Sequence, residues 1–394
     1  MSCRCLNCIV PPHMLKHLVQ SGDPGVRQAA METLLTTSRL RGERAVRGTF
    51  LVTSAPTEGR RTIFDCGQRP ATVGARLART ELAPLSADAS VNAAFDGLGL
   101  TRDFYRDVLG RNSIDDLGMR LDGYVHFDHA YNNAFWDGQQ MVFGDGDNIL
   151  FKDFTGSLDV IAHELTHGVT EHAAGLLYEN QSGALNESVS DVFGSLVKQW
   201  HLGQDAAAAD WLIGDQIFTP GVDADALRSM KAPGTAYSNP TLGDDPQPDH
   251  MDKFAKLPPW DDNGGVHINS GIPNRAFYLA ATAIGGKAWE KPGHVWYEAL
   301  LASNPSTDFQ AFAETTAMKA VQLYGSAEQD AVCDAWRQVG INVAAASVPA
   351  GFVAYGGRQS READSLADLQ RQIAELTKLV EDLAKKGRRT KGKG

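Results

Sequence analysis

The chain has 394 residues, more than one hydrophobic core usually serves, so two or three packed units with a cleft between them are expected. Hydrophobic residues make up 43% of it and charged residues 22%, which excludes a disordered chain, and no apolar run approaches the ~20 residues of a membrane-spanning helix. A net charge of -11 argues against a general nucleic-acid or polyanion binder.

The opening MSCRCLNCIV has no basic stretch followed by an apolar one of signal-peptide length, so synthesis in the cytoplasm is expected, with any export by a route that needs no signal peptide. The five cysteines are an odd number, and Cys3, Cys5 and Cys8 crowd together while Cys66 and Cys333 stand alone, which argues against a disulfide framework. The CxCxxC cluster reads either as a thiolate that caps a metal or as plain reduced thiols, and the second is the default. After Pro11-Pro12, apolar positions at Met14, Leu15, Leu18 and Val19, and again between Val26 and Leu40, predict two short helices around the turn Ser21-Gly22-Asp23-Pro24-Gly25. The basic run Arg39, Arg41, Arg44, Arg47 beside Gly42 and Gly48 is expected to be an exposed linker.

From Thr49 to about Gly146, short β-branched and aromatic pieces between Gly, Asp and Asn turns predict strands, among them 123–127 and 141–143, with a helix near 87–110. After Ser157 the period changes: Leu158, Ile161, Leu165 and Val169 share one helical face, and 187–200, 272–284 and 309–324 have helical length and spacing. Residues 238–265, rich in Gly, Pro and Asp, are expected to be an extended loop system of the kind that lines clefts. Near the end, Leu366, Leu369, Ile373, Leu376, Val380 and Leu383 form a heptad seam ahead of a basic tail. It reads either as a coiled coil that pairs with a copy of itself or as a surface helix of its own domain.

The chemistry begins at His163-Glu164-Leu165-Thr166-His167, an HExxH sequence inside the strongest helical pattern of the chain. Histidines at i and i+4 project from one helix face and can share a tetrahedral zinc, with the intervening glutamate beside a water on the metal. Glu187, 20 residues after His167, lies on a second helical stretch that the turn at Gly175 and Asn180-Gln181-Ser182-Gly183 can bring back, which completes a two-histidine, one-glutamate site with an open position. Asp191, one turn further, can accept the remaining ring N–H of a ligand histidine.

HELTH, ALNESVSDVFG, Asn263-Gly264-Gly265-Val266-His267-Ile268-Asn269-Ser270-Gly271 and Tyr131-Asn132-Asn133-Ala134-Phe135-Trp136 stand in the order and spacing of the thermolysin family, which residues 49 to 342 resemble. The fold class expected is α+β in two lobes, a β-rich N-terminal lobe and a mainly α-helical C-terminal lobe with the HExxH helix on the cleft floor. The divisions expected are a propeptide at 1–48, lobes at 49–178 and 179–345, and a linker, helix and tail at 346–394. The resemblance implies a zinc endopeptidase in which Glu164 activates the water, His267 and Tyr178 stabilise the oxyanion, and Asp262 orients His267. It further implies that Asn133 and Ala134 pair with an extended peptide, that Arg228 binds a substrate carbonyl, and that Phe151, Phe154, Val160 and Leu227 line an apolar pocket after the cleaved bond. The start of the chain is similar to the compact propeptide of the protealysin-like subgroup, so the stretch Pro11 to Leu18 is expected on the cleft as an inhibitor. Asp159, Asp210 and Asp215 match ligands of a paired calcium site, but Lys198 stands where a glutamate would bridge the ions, so one calcium at most is expected there.

Overall fold

A computed structural model describes residues 7–47 and 60–345; the heptad seam, Cys3, Cys5 and the tail lie outside the described residues. The chain starts with β1 (Asn7–Cys8), α1 (Pro12–Leu18) and α2 (Pro24–Arg47), followed by β2 (Arg61–Arg69), β3 (Arg76–Thr80), α3 (Ala89–Asp107), β4 (Leu121–Phe127), β5 (Ala134–Trp136) and β6 (Met141–Phe143). These strands make a six-stranded sheet in the order β1-β5-β6-β4-β2-β3, parallel across β6-β4-β2 and antiparallel elsewhere. Strand β4 alternates buried and half-buried residues, the signature of one covered face that its sequence carries. β5 would be an edge strand but for the two residues of β1 laid along it.

The run Arg39 to Arg47 is not a linker but the C-terminal end of the 24-residue helix α2. After Ala30 its buried residues are Thr33, Thr37 and Arg44, which is why an apolar period does not reveal this end. Thr37 Oγ1 meets Tyr131 Oη at 2.8 Å, Thr33 Oγ1 accepts from Asn132 N, and the 8% exposed Arg44 donates to Trp136 O and pairs with Glu171 at 3.0 Å.

The second half is helical: α4 (Leu158–Ala173), α5 (Asn180–Leu202), and, after the two-residue strands β7 (Leu212–Ile213), β8 (Arg228–Ser229), β9 (Ser238–Asn239) and β10 (Gly243–Asp244), helices α6 (Asp262–Asn269), α7 (Gly271–Ile284), α8 (Lys291–Leu301), α9 (Phe309–Leu323) and α10 (Ser326–Gln338). α4 and α5 are almost wholly buried and pack on each other so closely that a Cβ on Gly194 would lie 2.7 Å from Asp159 O. The predicted loop at 238–265 holds only the β9-β10 pair and a short 3-10 turn before α6.

One ion cluster ties α3 to the sheet. His126 Nε2 lies 2.8 Å from Asp88 Oδ2 and its Nδ1 2.8 Å from Asp145 Oδ1, while Asp88 caps α3 through the N–H groups of Ser90 and Val91. The bond to Asp145 leads in raising the imidazole to about 9, against the opposing effect of burial and with Asp88 helping. A raised histidine stabilises the fold fully below its unfolded value near 6.5 and loses that contribution as pH passes 9. The urea midpoint of the wild type is therefore expected to fall between pH 7 and 10, with a shallower fall in His126→Gln; parallel slopes would remove His126 as the cause.

Candidate metal centre and active site

α4 presents His163, Glu164 and His167, and α5 presents Glu187 and Asp191, to one buried point. The two histidine Nε2 atoms are 3.0 Å apart, and Glu187 oxygens lie 3.6 Å from His163 Nε2 and 3.4 Å from His167 Nε2. Among the described residues, His163, His167 and Glu187 are the group whose ligand atoms could hold a metal ion, all within 4.8 Å of one another.

The tautomers follow from the outer partners. His163 Nδ1 meets Asp191 Oδ1 at 2.8 Å, and His167 Nδ1 meets Asn186 Oδ1 at 2.7 Å, with the Asn186 amide turned by its own donation to Leu176 O. Both Nδ1 atoms therefore carry the proton and both Nε2 lone pairs face inward, where neither can donate to the other. A cation satisfies that pair, and Glu187 Oε2 and Glu164 Oε1, buried and without a hydrogen-bond partner, point to the same need. The donor set fits zinc with a position left over.

Asp191 is itself fixed. Arg228 donates to it through Nε and Nη2, each at 2.8 Å, and Asn274 Nδ2 donates at 2.8 Å. Burial would raise this carboxyl, but Arg228 and His163 hold it well below the usual range, so it stays an acceptor for the ligand histidine. Asn186, Ser190 and Asn274 were not singled out from the sequence. Asn186-Glu187 and Ser190-Asp191 repeat at i and i+4 on one helix face, the signal that would have found the first two.

Glu164 accepts from Trp136 N at 3.0 Å, and burial, then Glu187, push its carboxyl well above the ordinary value. His267 comes from α6, whose start passes through four residues with positive φ, Asp262, Asn263, Gly264 and Gly265. Asn and Asp tolerate that region and glycine favours it, so the sequence DNGG can make the turn that folds Asp262 onto His267. Asp262 Oδ1 meets His267 Nδ1 at 2.5 Å, and Asp262 Oδ2 accepts from His267 N at 2.9 Å. Burial opposes the charged imidazole, yet Asp262 and Glu187 raise it above the ordinary value. Tyr178 Oη lies 3.2 Å from His267 Nε2 and hydrogen-bonds Glu187 Oε1.

The remaining expected site residues divide into three places. Ala134, which opens β5, Asn133 just before it and Arg228 on β8 all bond to the same segment, residues 9 and 10. Phe151, Phe154, Val160 and Leu227 are all buried, with the Phe151 and Phe154 rings stacked at 5.9 Å and Phe218 against Phe151 at 5.3 Å. Asp159, Asp210 and Asp215 sit apart from the metal centre around Lys198, whose Nζ is 3.5, 3.1 and 2.8 Å from them.

Residues 7–10, rather than Pro11 to Leu18, occupy the cleft. Cys8 O lies 3.1 Å from His267 Nε2, Ile9 N donates to Ala134 O at 3.2 Å, and Ile9 O accepts from Arg228 Nη1 at 3.0 Å. Val10 N donates to Asn133 Oδ1 at 2.9 Å and Val10 O accepts from Asn133 Nδ2 at 3.3 Å. α1 flanks the cleft, held by Lys16 to Asp261 at 2.7 Å and His13 to Tyr237 at 3.0 Å. The Cys8 thiol is buried among Phe127, Tyr131 and Phe135 beside Arg41, where burial pushes it up to about 12, while its carbonyl faces His267.

Residues 68–171 match the model of the thermolysin metallopeptidase catalytic domain and residues 174–341 that of the thermolysin metallopeptidase α-helical domain. The chain belongs to the thermolysin family. Its relatives include an extracellular metalloprotease of Pectobacterium carotovorum subsp. carotovorum, 46% identical over 345 residues, covering 87% of this chain and 99% of that one. Protease PrtS of Photorhabdus sp. (strain Az29) is 43% identical over 342 residues, covering 85% and 92%. Among solved structures, the precursor of protealysin, a metalloproteinase from Serratia proteamaculans, aligns with a TM-score of 0.78 and 47% identity, over 85% of this chain and 99% of that one. This thermolysin-family chain is thus a metalloprotease with the two-lobed α+β fold, and the family's histidine-histidine-glutamate zinc geometry is what α4 and α5 assemble.

Proposed function

We propose that the chain is an endopeptidase, made as a self-inhibited precursor, that cuts peptide bonds on the N-terminal side of bulky hydrophobic residues. The observation that carries this reading is the inward-facing Nε2 pair of His163 and His167 beside Glu187, with the Glu164 carboxylate held next to it by Trp136 N. These three ligands would hold zinc, which when bound lowers the pKa of water and polarises a carbonyl.

The protein's own residues account for the rest. Glu164, raised in pKa by burial, takes a proton from the attacking water and delivers it to the leaving amine. His267, held by Asp262 at its Nδ1, and the Tyr178 hydroxyl donate to the oxygen that gains charge. Asn133, Ala134 and Arg228 bind the substrate main chain as an added strand, the use residues 8–10 already make of them. Phe151, Phe154, Val160 and Leu227 supply the apolar pocket. Incubation with a chelator is expected to abolish peptide hydrolysis, with zinc restoring it, and Glu187→Ala is expected to purify without stoichiometric zinc because two imidazoles make a weak site. Zinc-loaded Glu187→Ala would remove Glu187 from the ligands.

The divisions in this reading are an inhibitory segment at 1–48, lobes at 49–178 and 179–345, and a tail at 346–394 whose heptad seam, 366–383, pairs with a second copy. The Pectobacterium relative, an extracellular metalloprotease, supports action outside the cell, after synthesis in the cytoplasm. Protein substrates and the chain's own first residues are its partners. At Asp159, Asp210 and Asp215 the Lys198 ammonium takes the charge role of a calcium ion. Lys198→Ala is expected to cost about 3 kcal/mol, because it leaves the fully buried Asp159 without its cation. The wild-type melting temperature should not move on adding calcium; a rise would place an ion in the cluster after all.

A further inference from the structure

We propose that the Cys8–Ile9 peptide bond is itself a substrate of this active site, cut within the precursor before the inhibitory segment is released. The inference rests on the peptidase reading above and adds a position and an order of events to it. A peptide bound as an added strand has one carbonyl beside the groups that stabilise the oxyanion. Here that carbonyl is Cys8 O, 3.1 Å from His267 Nε2, with Tyr178 Oη on the same nitrogen. On the far side of the bond, every main-chain polar group of the next two residues has a partner. Ile9 N reaches Ala134 O, Ile9 O takes Arg228, and the Asn133 amide grips Val10 N and O together. On the near side, Asn7 and Cys8 pair antiparallel with Trp136 and Phe135. The segment is therefore engaged on both sides of a single amide, and that amide joins Cys8 to Ile9. The reactive bond is set by main-chain register, whereas the Cys8 thiol is turned away into its apolar cluster.

Hydrolysis there consumes one water. The Cys8 carbonyl carbon gains the hydroxyl, the C–N bond to Ile9 breaks, and the Ile9 nitrogen receives the proton carried by Glu164. The two products differ in how they are held. Residues 1–8 keep the short β1 pairing, the Cys8 side chain in its cluster and the Cys8 O contact to His267 within the described structure, and no buried helix of their own. Residues from Ile9 onward stay attached to α1, where Met14, Leu15 and Leu18 are buried and Lys16 and His13 are bonded to Asp261 and Tyr237. The product strand Ile9-Val10 thus continues to fill the half of the cleft that Asn133 and Arg228 line. The cut yields a nicked chain that is still inhibited, and full activity awaits loss of α1 and α2.

The test follows the zinc-loaded full chain by intact mass and N-terminal sequencing while hydrolysis of a fluorogenic peptide is recorded. In the wild type, most chains are expected to lose eight residues and begin at Ile9 before hydrolysis rises, whereas Glu164→Gln chains keep residues 1–10 intact. As a second measurement, a synthetic peptide of residues 5–13 given to the mature enzyme is expected to be cut between its Cys8 and Ile9 positions. A precursor that gains activity by cleavage elsewhere while residues 7–10 stay whole overturns this proposal and leaves the peptidase reading standing. The same holds for a peptide cut at another bond. A chain that cuts nothing in any form overturns both.

Discussion

Glu164→Gln is expected to bind zinc as the wild type does and to lose peptide hydrolysis by a factor on the order of 10² to 10⁴, the range typical of a removed general base. The amide keeps the size of the side chain and retains an oxygen to accept from Trp136 N, so the fold around it stays intact. What disappears is the group proposed to take the water proton. Metal content and turnover must therefore separate in this variant, and zinc analysis beside a rate measurement on the activated enzyme reads both. Activity near wild type in a zinc-loaded Glu164→Gln chain would end the general-base assignment.

The second large effect concerns the first 47 residues. The intact precursor is expected to hydrolyse a fluorogenic peptide with Leu after the cleaved bond on the order of 10²-fold more slowly than a chain starting near Thr49. A segment tethered at millimolar effective concentration competes against a dilute substrate for the same groups. The competition has two parts: residues 8–10 hold His267, Arg228 and Asn133, while Arg44 on α2 covers Trp136 O and pairs with Glu171. Equal activity of the two chains would refute inhibition by this segment. Cys8→Ser should leave the precursor inhibited, because the blocking contacts are main-chain ones.

The metal centre was legible in the sequence because it is local: His163 and His167 are one helical turn apart, and Glu187 and Asp191 are likewise. Spacing of that kind survives whatever the rest of the chain does. His267 was legible only through its motif, since the left-handed turn that brings Asp262 onto it depends on four residues whose φ values no periodicity announces. The contacts that cross long stretches of sequence were not legible. Asn274 to Asp191 and Arg44 to Glu171 join residues 83 and 127 positions apart, and nothing in either local pattern selects the partner. The end of α2 was not legible for a related reason: after Ala30 its buried residues are Thr33, Thr37 and Arg44, types that ordinarily mark exposure. The blocking segment was placed a few residues too late because the apolar period belongs to α1, whereas Ile9 and Val10, buried in the cleft, are too short a run to show one.

Lys198 has a consequence for where this enzyme can work. A bound ion stabilises in proportion to the logarithm of its free concentration over its dissociation constant, so a protein that relies on one weakens wherever the ion is scarce. A cation that is part of the chain is present at one per molecule at every dilution and cannot be extracted by a competing chelator. The carboxylates of Asp159, Asp210 and Asp215 are met by such a cation. A melting temperature unmoved by calcium would mean that, with Lys198 in that place, this corner of the fold holds equally well in compartments that differ widely in free calcium.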